Sequence, residues 1–245
     1  MKAIEDDIII HPGRGSHENP IPPCGIFLVN PTEARTGIKE LLDRGGEQRF
    51  LFHSGLVVSP DSDFFVAGPA LGAPMAVMTL EKLIALGASS VVMAGWCGAI
   101  DSSLRVGDVL LGGAGYPGEG TSRYYSTGEA HHPSIRLCAG LQKALELAPA
   151  RPIWSTDAPF RESRPMLEAL ARRHSIAGVD MEYSALCAVA AFRNIDFAGL
   201  FLVSDELWRS DWQAGFTTKN FKKKSRAEID RLMRHIVAIS NFEES

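Results

Sequence analysis

Residues 91–111, VVMAGWCGAIDSSLRVGDVLL, contain the pattern that decides the fold. A β-branched run ends at Gly95 and a second apolar run closes the stretch, so two strands are predicted here. Only Trp96 and Cys97 separate Gly95 from Gly98, which predicts a turn at the end of the first strand. Glycine permits a positive φ and lets an anion or a sugar hydroxyl lie on main-chain N–H groups. The alternative is an ordinary strand-to-loop turn with tight packing.

The rest of the chain alternates strand-like and helix-like segments. Residues 25–30 and 197–204 are apolar runs of strand length, whereas residues 73–87 have helical spacing. The 245 residues, 45% of them hydrophobic, can form one sizeable core. We therefore predict a single α/β domain over residues 25–245, with a central β-sheet flanked by helices, after an N-terminal arm over residues 1–24. Neither a G-x-G-x-x-G nor a G-K-[ST] motif is present, so a dinucleotide fingerprint and a P-loop are excluded.

Composition argues against several classes of function. A formal net charge of −4 provides no general field for nucleic acid, so no nucleic-acid partner is expected. The first residues are acidic where a secretory signal is basic, and no run of about 18 apolar residues occurs, so neither export nor a membrane span is expected. The cysteines are scattered without metal-ligand spacing, which predicts free thiols, no metal site and a cytoplasmic protein.

A second strand end carries two acids. Asp180 and Glu182, in VDMEYSAL at 179–186, stand where a buried strand gives way to a helix. One carboxylate can accept protons from both hydroxyls of a vicinal diol, so Glu182 is a candidate ribose ligand. The alternative is structural, with Asp180 capping the helix and Glu182 in its first turn.

A third strand end places an acid beside a long apolar run. In LFLVSDELW at 200–208, Ser204 and Asp205 follow the apolar residues directly. An acid beside so much apolar surface could donate a proton near neutral pH. A helix cap or a salt-bridged loop acid is the alternative interpretation.

Six segments occur in an order and at a spacing that resemble a known family. They are VAGPALGAP (66–74), GWCGAIDSSLRVGDVLL (95–111), EGTSRYY (119–125), WSTDAPFRES (154–163), VDMEYSALCAVAAFRNI (179–195) and LVSDELW (202–208). From about residue 25 to the end, the chain resembles the nucleoside phosphorylase superfamily, which includes purine nucleoside phosphorylase, uridine phosphorylase and methylthioadenosine/adenosylhomocysteine nucleosidase. The resemblance is nearest to the uridine-phosphorylase-like branch. It implies a nucleoside-phosphorylase-like fold with a central mixed β-sheet, and cleavage of the N-glycosidic bond of a ribonucleoside.

The resemblance also implies roles for individual residues. Glu182 would hold the ribose 2′- and 3′-hydroxyls, Met181 would pack under the sugar, and Asp205 would protonate or hydrogen-bond a purine at N7. Glu182 and Asp205 are thus the expected catalytic residues. Phe160 would stack on the base, and Arg161 would reach the base edge or a neighbouring acid. The other expected substrate-binding residues are Gly95, Trp96, Cys97 and Ser204. An acid at position 205 is typical of purine-cleaving members, so a purine is slightly favoured over uridine.

The chain departs from the phosphorolytic pattern where phosphate would bind. Those members commonly carry an arginine two residues before the first glycine and Ser or Thr after it, where this chain has Met93 and Trp96. Their phosphate loop reads Gly-Asp-Pro-x-Arg, where this chain has Val29 at the first position and Glu33 at the last. An anion binds poorly where two guanidinium groups are absent and a carboxylate is present. The candidate substitute phosphate ligands, within one subunit or across an interface, are Arg14, Arg35 and Arg49.

Three functions remain open from the sequence. The first is a nucleoside phosphorylase that uses inorganic phosphate as co-substrate and forms ribose 1-phosphate. The second is a nucleosidase in which water attacks, and the third is a nucleoside-binding protein without catalysis, suggested by Trp96 filling space near the ribose or phosphate. No metal or organic cofactor is implied. A homo-oligomer, either a dimer or a trimer of dimers, is expected because the family builds part of each site from a neighbouring subunit.

Overall fold

The computed structural model describes residues 8–243 of the chain. The strands in this range are β1 (Cys24–Leu28), β2 (Glu47–Arg49), β3 (Gly55–Val58), β4 (Phe65–Gly68), β5 (Ser90–Ala99), β6 (Val109–Gly118), β7 (Arg151–Thr156), β8 (Gly178–Asp180), β9 (Asp196–Glu206) and β10 (Gln213–Ala214). The α-helices are α1 (Pro31–Asp43), α2 (Ala73–Leu86), α3 (Ile135–Leu145), α4 (Arg164–His174), α5 (Tyr183–Arg193) and α6 (Lys219–Ser240). Within the same range, no helix has the length and apolar character needed to span a membrane.

The strands form one mixed sheet in the order β10-β9-β6-β7-β8-β5-β1-β4-β3-β2. β1 pairs in parallel with β4 and β5, while β2 and β3 form an antiparallel edge. β5 pairs with β9 as well as with β8, so β5, β9, β6, β7 and β8 close into a ring. Both β8 and β9 therefore lie directly beside β5. The predicted single α/β domain with a central mixed sheet is confirmed.

Alternating side chains of the sheet enter two apolar cores on opposite faces. In β1, Phe27 belongs to one core, whereas Ile26 and Leu28 belong to the other. Helices α2 and α5 contribute to the first core, and helices α1, α3 and α6 to the second. Each buried side chain of this size contributes about 1.5–3 kcal/mol relative to an exposed one. Both faces of the sheet are thus covered by helices, as the alternation of strands and helices predicts.

The prediction of a glycine turn in the opening stretch is wrong, because β5 continues through both glycines to Ala99. The glycines allow close packing instead. A Cβ on Gly95 would lie 2.7 Å from Val29 Cγ2, and one on Gly98 would lie 2.8 Å from Leu207 Cδ1. Neither glycine has a positive φ. The register of β5 with β9 shifts just before Gly98, so the irregularity of the stretch is a bulge and not a turn.

The predicted N-terminal arm covers residues 1–24, of which residues 1–7 lie outside the described part of the chain. Residues 8–17 are exposed. Lys82 of α2 tethers the segment by a 2.5 Å ion pair with Glu18. The separation of an arm from a domain at residue 24 stays a prediction.

Candidate active site

The ends of β5, β8 and β9 border one open cavity of about 680 Å³. This volume is in the range of pockets that bind small molecules. The sequence-predicted site residues that line it are Trp96, Cys97, Phe160, Met181, Glu182, Ser204 and Asp205. The fold therefore brings both predicted catalytic acids into one cavity with most of the predicted substrate-binding residues.

The other predicted site residues lie outside this cavity. Gly95 borders a separate cavity of about 30 Å³ behind Trp96. Arg161 is exposed at the end of a short 3-10 helix and does not line the main cavity. The main cavity is also not lined by any of the predicted phosphate ligands, Arg14, Arg35 and Arg49. Within one subunit these three arginines are not assembled with the acids, so their role stays a prediction that requires a neighbouring subunit.

Glu182 lies where β8 has ended and α5 begins at Tyr183. It is 3% exposed, and its Oε1 accepts a hydrogen bond from the Gly72 N–H at 2.6 Å. Gly72 has a φ of 87°, a conformation that favours glycine, so this donor depends on the residue type. Burial, reinforced by the negative charge of Asp180, raises the pKa of Glu182 to about 8.

Asp180 holds the backbone that positions Glu182. Its carboxylate accepts hydrogen bonds from Ser155 Oγ at 2.5 Å and from the N–H groups of Glu182 and Tyr183 at 3.0 and 2.7 Å. The N-cap residue of α5 is Glu182, so Asp180 precedes the cap and the predicted alternative, with Asp180 as the cap and Glu182 in the first turn, is wrong. Burial raises the pKa of Asp180 to about 6 in spite of these hydrogen bonds. Because both of its oxygens have partners, Asp180 orients the neighbouring acid.

Asp205 lies in β9, which is separated from β8 by β5. Its Oδ1 accepts from Ser204 Oγ at 2.6 Å, and its Oδ2 accepts from the Trp212 indole N–H at 2.9 Å. Ser204 Oγ also lies 3.2 Å from the carbonyl oxygen of Cys97, which can only accept. Among the described residues, Asp205 forms neither the helix cap nor the ion pair considered as alternatives.

Trp96 separates the cavity from a second buried acid, Glu33. The indole stacks on Phe216 with ring centroids 5.6 Å apart and meets Phe221 edge-on at 5.3 Å. Behind it, Glu33 is 6% exposed and accepts a hydrogen bond from Ser225 Oγ at 2.8 Å. Trp96 Nε1 lies near the Glu33 carboxyl without a hydrogen bond of ordinary geometry, and burial raises the pKa of Glu33. Two residues that depart from the phosphorolytic pattern are therefore packed against each other.

The basic side chains that line the cavity in the described part of the chain are both engaged by the protein. Arg164 donates to the main-chain carbonyls of Trp208, Arg209 and Ser210. Arg209 Nε donates to Glu206 Oε2 at 2.5 Å. Within residues 8–243, the cavity thus offers no uncommitted cation to an anionic ligand.

Cysteines and metal-ligating side chains form no further centre in the described chain. Its cysteines are all buried and free, which confirms the prediction of unpaired thiols. Across residues 8–243, no group of three or more His, Cys, Asp or Glu side chains is arranged to hold a metal ion. The expected absence of a cofactor stays a prediction.

The sequence profile described as the phosphorylase superfamily matches residues 24–239. The chain belongs to the phosphorylase superfamily. This membership confirms the resemblance carried by the six segments. It also agrees with the prediction that the chain is a pentosyltransferase, as nucleoside phosphorylases are, or a related nucleosidase.

Several members of the superfamily are similar to this chain in sequence or fold. Guanosine phosphorylase from Halorubrum lacusprofundi is 22% identical over 180 residues, which cover 71% of this chain and 73% of that protein. Purine nucleoside phosphorylase from Toxoplasma gondii, in complex with immucillin-H, has a TM-score of 0.77 at 18% identity and covers 93% of this chain and 97% of its own. Futalosine hydrolase of Helicobacter pylori has a TM-score of 0.71 at 18% identity, covering 88% and 98%. Proteins named as phosphorylases and as a hydrolase thus share the superfamily fold.

Sequence reasoning missed residues that build or line this cavity. They are Asn30, Gly72, Glu162 and Trp212. Asn30 Oδ1 accepts the Trp96 N–H at 2.9 Å and so fixes the main chain beneath the indole. Gly72 and Glu162 stand inside segments that carry the family resemblance, and that position is the signal that could have identified them. Trp212 lies in a polar loop without a regular pattern, so only the folded chain places it beside Asp205.

Proposed function

We propose that this protein cleaves the N-glycosidic bond of a ribonucleoside, with a purine nucleoside as the favoured substrate. The proposal rests on one observation: Met181, Glu182 and Asp205 all line one cavity of about 680 Å³. These residues supply an apolar surface for the sugar, an acceptor for its hydroxyls and an acid for the base. Binding alone does not require the second acid, so catalysis is favoured over a purely binding role.

Glu182 is proposed to accept hydrogen bonds from the ribose 2′- and 3′-hydroxyls, while the Gly72 N–H holds its carboxylate in place. The ribosyl group becomes oxocarbenium-like as the base departs, and a nearby carboxylate stabilises the developing positive charge. Burial strengthens this interaction because little water screens it. The same burial raises the pKa of Glu182 to about 8, so the ionised form needed for this role increases with pH up to about that value.

Asp205 is proposed to donate a proton to N7 of the departing purine. A protonated base leaves more readily, and such general acid help is typically worth about 10²–10⁴ in rate. Ser204 Oγ and the Trp212 indole N–H hold the carboxyl of Asp205 in place at the cavity. Phe160, which is 98% exposed and borders the cavity, is proposed to stack on the base, and Met181 to pack under the sugar.

Water is the nucleophile that the described cavity favours. Phosphate is best held by guanidinium groups or comparable donors. Here Trp96 and Glu33 stand at positions where phosphorolytic members bind that anion, and Arg164 and Arg209 are engaged elsewhere. The indole and the buried acid behind it provide no positive charge to an anion in the cavity. We therefore place hydrolysis to free base and ribose first.

Phosphorolysis to free base and ribose 1-phosphate is the second candidate. The names of relatives support it, among them guanosine phosphorylase from Halorubrum lacusprofundi. It requires cations from a neighbouring subunit, for which Arg14, Arg35 and Arg49 are the candidates. Arg14 and Arg35 are exposed, as a contribution across an interface requires. A homo-oligomer is proposed for the same reason.

Base release from a panel of purine and pyrimidine ribonucleosides, with and without inorganic phosphate, tests these proposals. Hydrolysis predicts turnover indifferent to phosphate, and labelled oxygen from water in the ribose product. Turnover that requires phosphate and yields ribose 1-phosphate would select the second candidate. The Glu182→Ala variant, prepared identically, controls for a contaminating activity. Nucleoside binding in calorimetry without base release from any member of the panel would contradict both.

A further inference from the structure

Glu162 is a carboxyl group of the cavity that the proposed reaction leaves unused. It follows the 3-10 helix Pro159–Arg161 and lines the cavity together with Asp205. Within residues 8–243, its carboxyl forms no hydrogen bond and no ion pair. In contrast, Glu182 and Asp205 accept hydrogen bonds from protein groups at 2.6 Å. Both carboxyl oxygens of Glu162 are therefore available to a ligand. In Glu182 and Asp205, part of the hydrogen-bonding capacity is already used by protein groups.

The negative charge of Asp205 acts on Glu162 within the cavity. Burial, and secondly the negative charge of Asp205, raises the pKa of Glu162 to about 7. The other charged side chains that line the cavity are Arg164, Asp180, Glu182 and Arg209. Each of them is bonded to other protein groups, as described above. Glu162 thus changes between donor and acceptor of a hydrogen bond near neutral pH.

A purine presents two recognition groups side by side, N7 and the substituent at C6. In adenine, N7 accepts a hydrogen bond and the 6-amino group donates one, whereas in guanine and other 6-oxopurines N7 and O6 both accept. If Asp205 donates to N7, an acid beside it meets the C6 substituent. An ionised carboxyl can only accept from that substituent, while a protonated one can also donate to it.

We propose that Glu162 reads the C6 substituent of the purine, accepting a hydrogen bond from a 6-amino group when ionised and donating one to a 6-oxo group when protonated. This inference rests on the proposed cleavage of purine nucleosides. It makes base preference depend on pH, with 6-oxopurines favoured on the acidic side and 6-aminopurines on the basic side. Glu182 acts on the sugar of both substrates, so its own pH dependence cancels in their ratio.

The test is the ratio of kcat/KM for adenosine to kcat/KM for inosine between about pH 6 and about pH 8. In the wild type this ratio rises about tenfold with pH, the effect of one gained or lost hydrogen bond to a charged group. Glu162→Gln supplies an amide that donates and accepts at every pH, so the ratio is constant. Glu168→Gln is the matched control, because Glu168 is exposed on α4 and does not line the cavity. It retains the wild-type dependence.

The outcomes separate this inference from the proposed function. A wild-type ratio that is constant with pH, or a rise that persists unchanged in Glu162→Gln, overturns the role of Glu162 and leaves nucleoside cleavage intact. Calorimetric titration with adenine and hypoxanthine at the same pH values gives a readout that does not require turnover. If neither base binds and no purine nucleoside is cleaved, both proposals fail. Should the Gln variant not fold, as judged by its melting curve, the wild-type ratios for turnover and for base binding decide the matter.

Discussion

Glu182 and Glu33 are both buried glutamates, but Glu182 lines the main cavity whereas Trp96 separates Glu33 from it. Glu182 is 3% exposed, faces the cavity and accepts from the Gly72 N–H. Glu33 is 6% exposed, lies behind Trp96 and accepts from Ser225. Burial raises the pKa of both acids. Burial of a carboxyl therefore does not by itself mark a functional group; the difference lies in whether a cavity gives a ligand access to its oxygens.

Removal of each acid provides the strongest test of this difference. We expect Glu182→Ala to lower kcat/KM by about 10²–10³, because a charge-stabilising contact of the transition state is lost. Glu33→Gln should change it less than about threefold, since Glu33 does not line the main cavity. Steady-state kinetics of base release on both purified variants supplies the measurement. Similar losses in the two variants would remove the distinction.

The pH profile of the reaction sharpens the comparison. Because the pKa of Glu182 is raised to about 8 and the ionised form is required, the ratio of wild-type to Glu182→Gln kcat/KM should increase up to about tenfold per pH unit below that value, since Asp205 acts as the proton donor in both proteins. Glu33→Gln should show the same profile, as Glu33 has no access to substrate. Initial rates at low substrate concentration, in buffers of constant ionic strength, report this dependence. A wild-type to Glu182→Gln ratio that is constant with pH would show that Glu182 is not used in its ionised form.

Removal of the Trp96 indole that covers Glu33 should lower the free energy of unfolding. Trp96→Ala removes the stacking with Phe216 and the contact with Phe221, and it opens the buried carboxyl to water. We expect the free energy of unfolding to fall by about 2–4 kcal/mol, as measured by urea denaturation. Trp212→Ala is the control, because Trp212 is 62% exposed and its loss should cost less than about 1 kcal/mol. Equal effects would mean that Trp96 is not part of the packing that covers Glu33.

The two acids should also contribute alike to the pH dependence of stability, which is the smallest expected effect. The pKa of Glu182 is raised to about 8 in the folded protein, so between about pH 5 and about pH 8 the folded state binds more protons than the unfolded chain. Burial also raises the pKa of Glu33, which acts in the same direction. The free energy of unfolding therefore falls as pH rises through this window. Glu182→Gln should remove about 1–3 kcal/mol of that decline, and Glu33→Gln should also reduce it. Denaturation at three pH values measures it, and an unchanged decline in either variant would contradict a raised pKa at that position.

Local sequence patterns were sufficient for much of the fold and for the two main acids. Apolar runs and helical spacing predict elements directly, and the predicted helix at 73–87 coincides with α2. Glu182 and Asp205 could be predicted because each stands at a junction that the local pattern also marks. The family resemblance then connected them, although they are distant in the sequence.

Contacts between distant segments account for what the sequence did not reveal. The sequence does not distinguish a glycine required by a turn from a glycine required by a close neighbour. Only the fold places Val29 against Gly95. Glu162 and Trp212 reach the cavity from loops, whose paths are not set by a periodic pattern. The packing of Trp96 on Glu33 likewise joins a strand to a helix that local spacing cannot relate.

The closed ring of strands fixes the distance between β8 and β9, the strands on the two sides of the cavity. Gly98 in β5 is the register partner of Val179 in β8 and of Asp205 in β9. Neighbouring strands are about 4.8 Å apart, so the backbones that carry the two halves of the cavity are separated by roughly 10 Å. A ring has no free edge along which this spacing could open. Substitutions in the loop around Glu162 can therefore change the groups that line the cavity, while the distance between β8 and β9 stays the same.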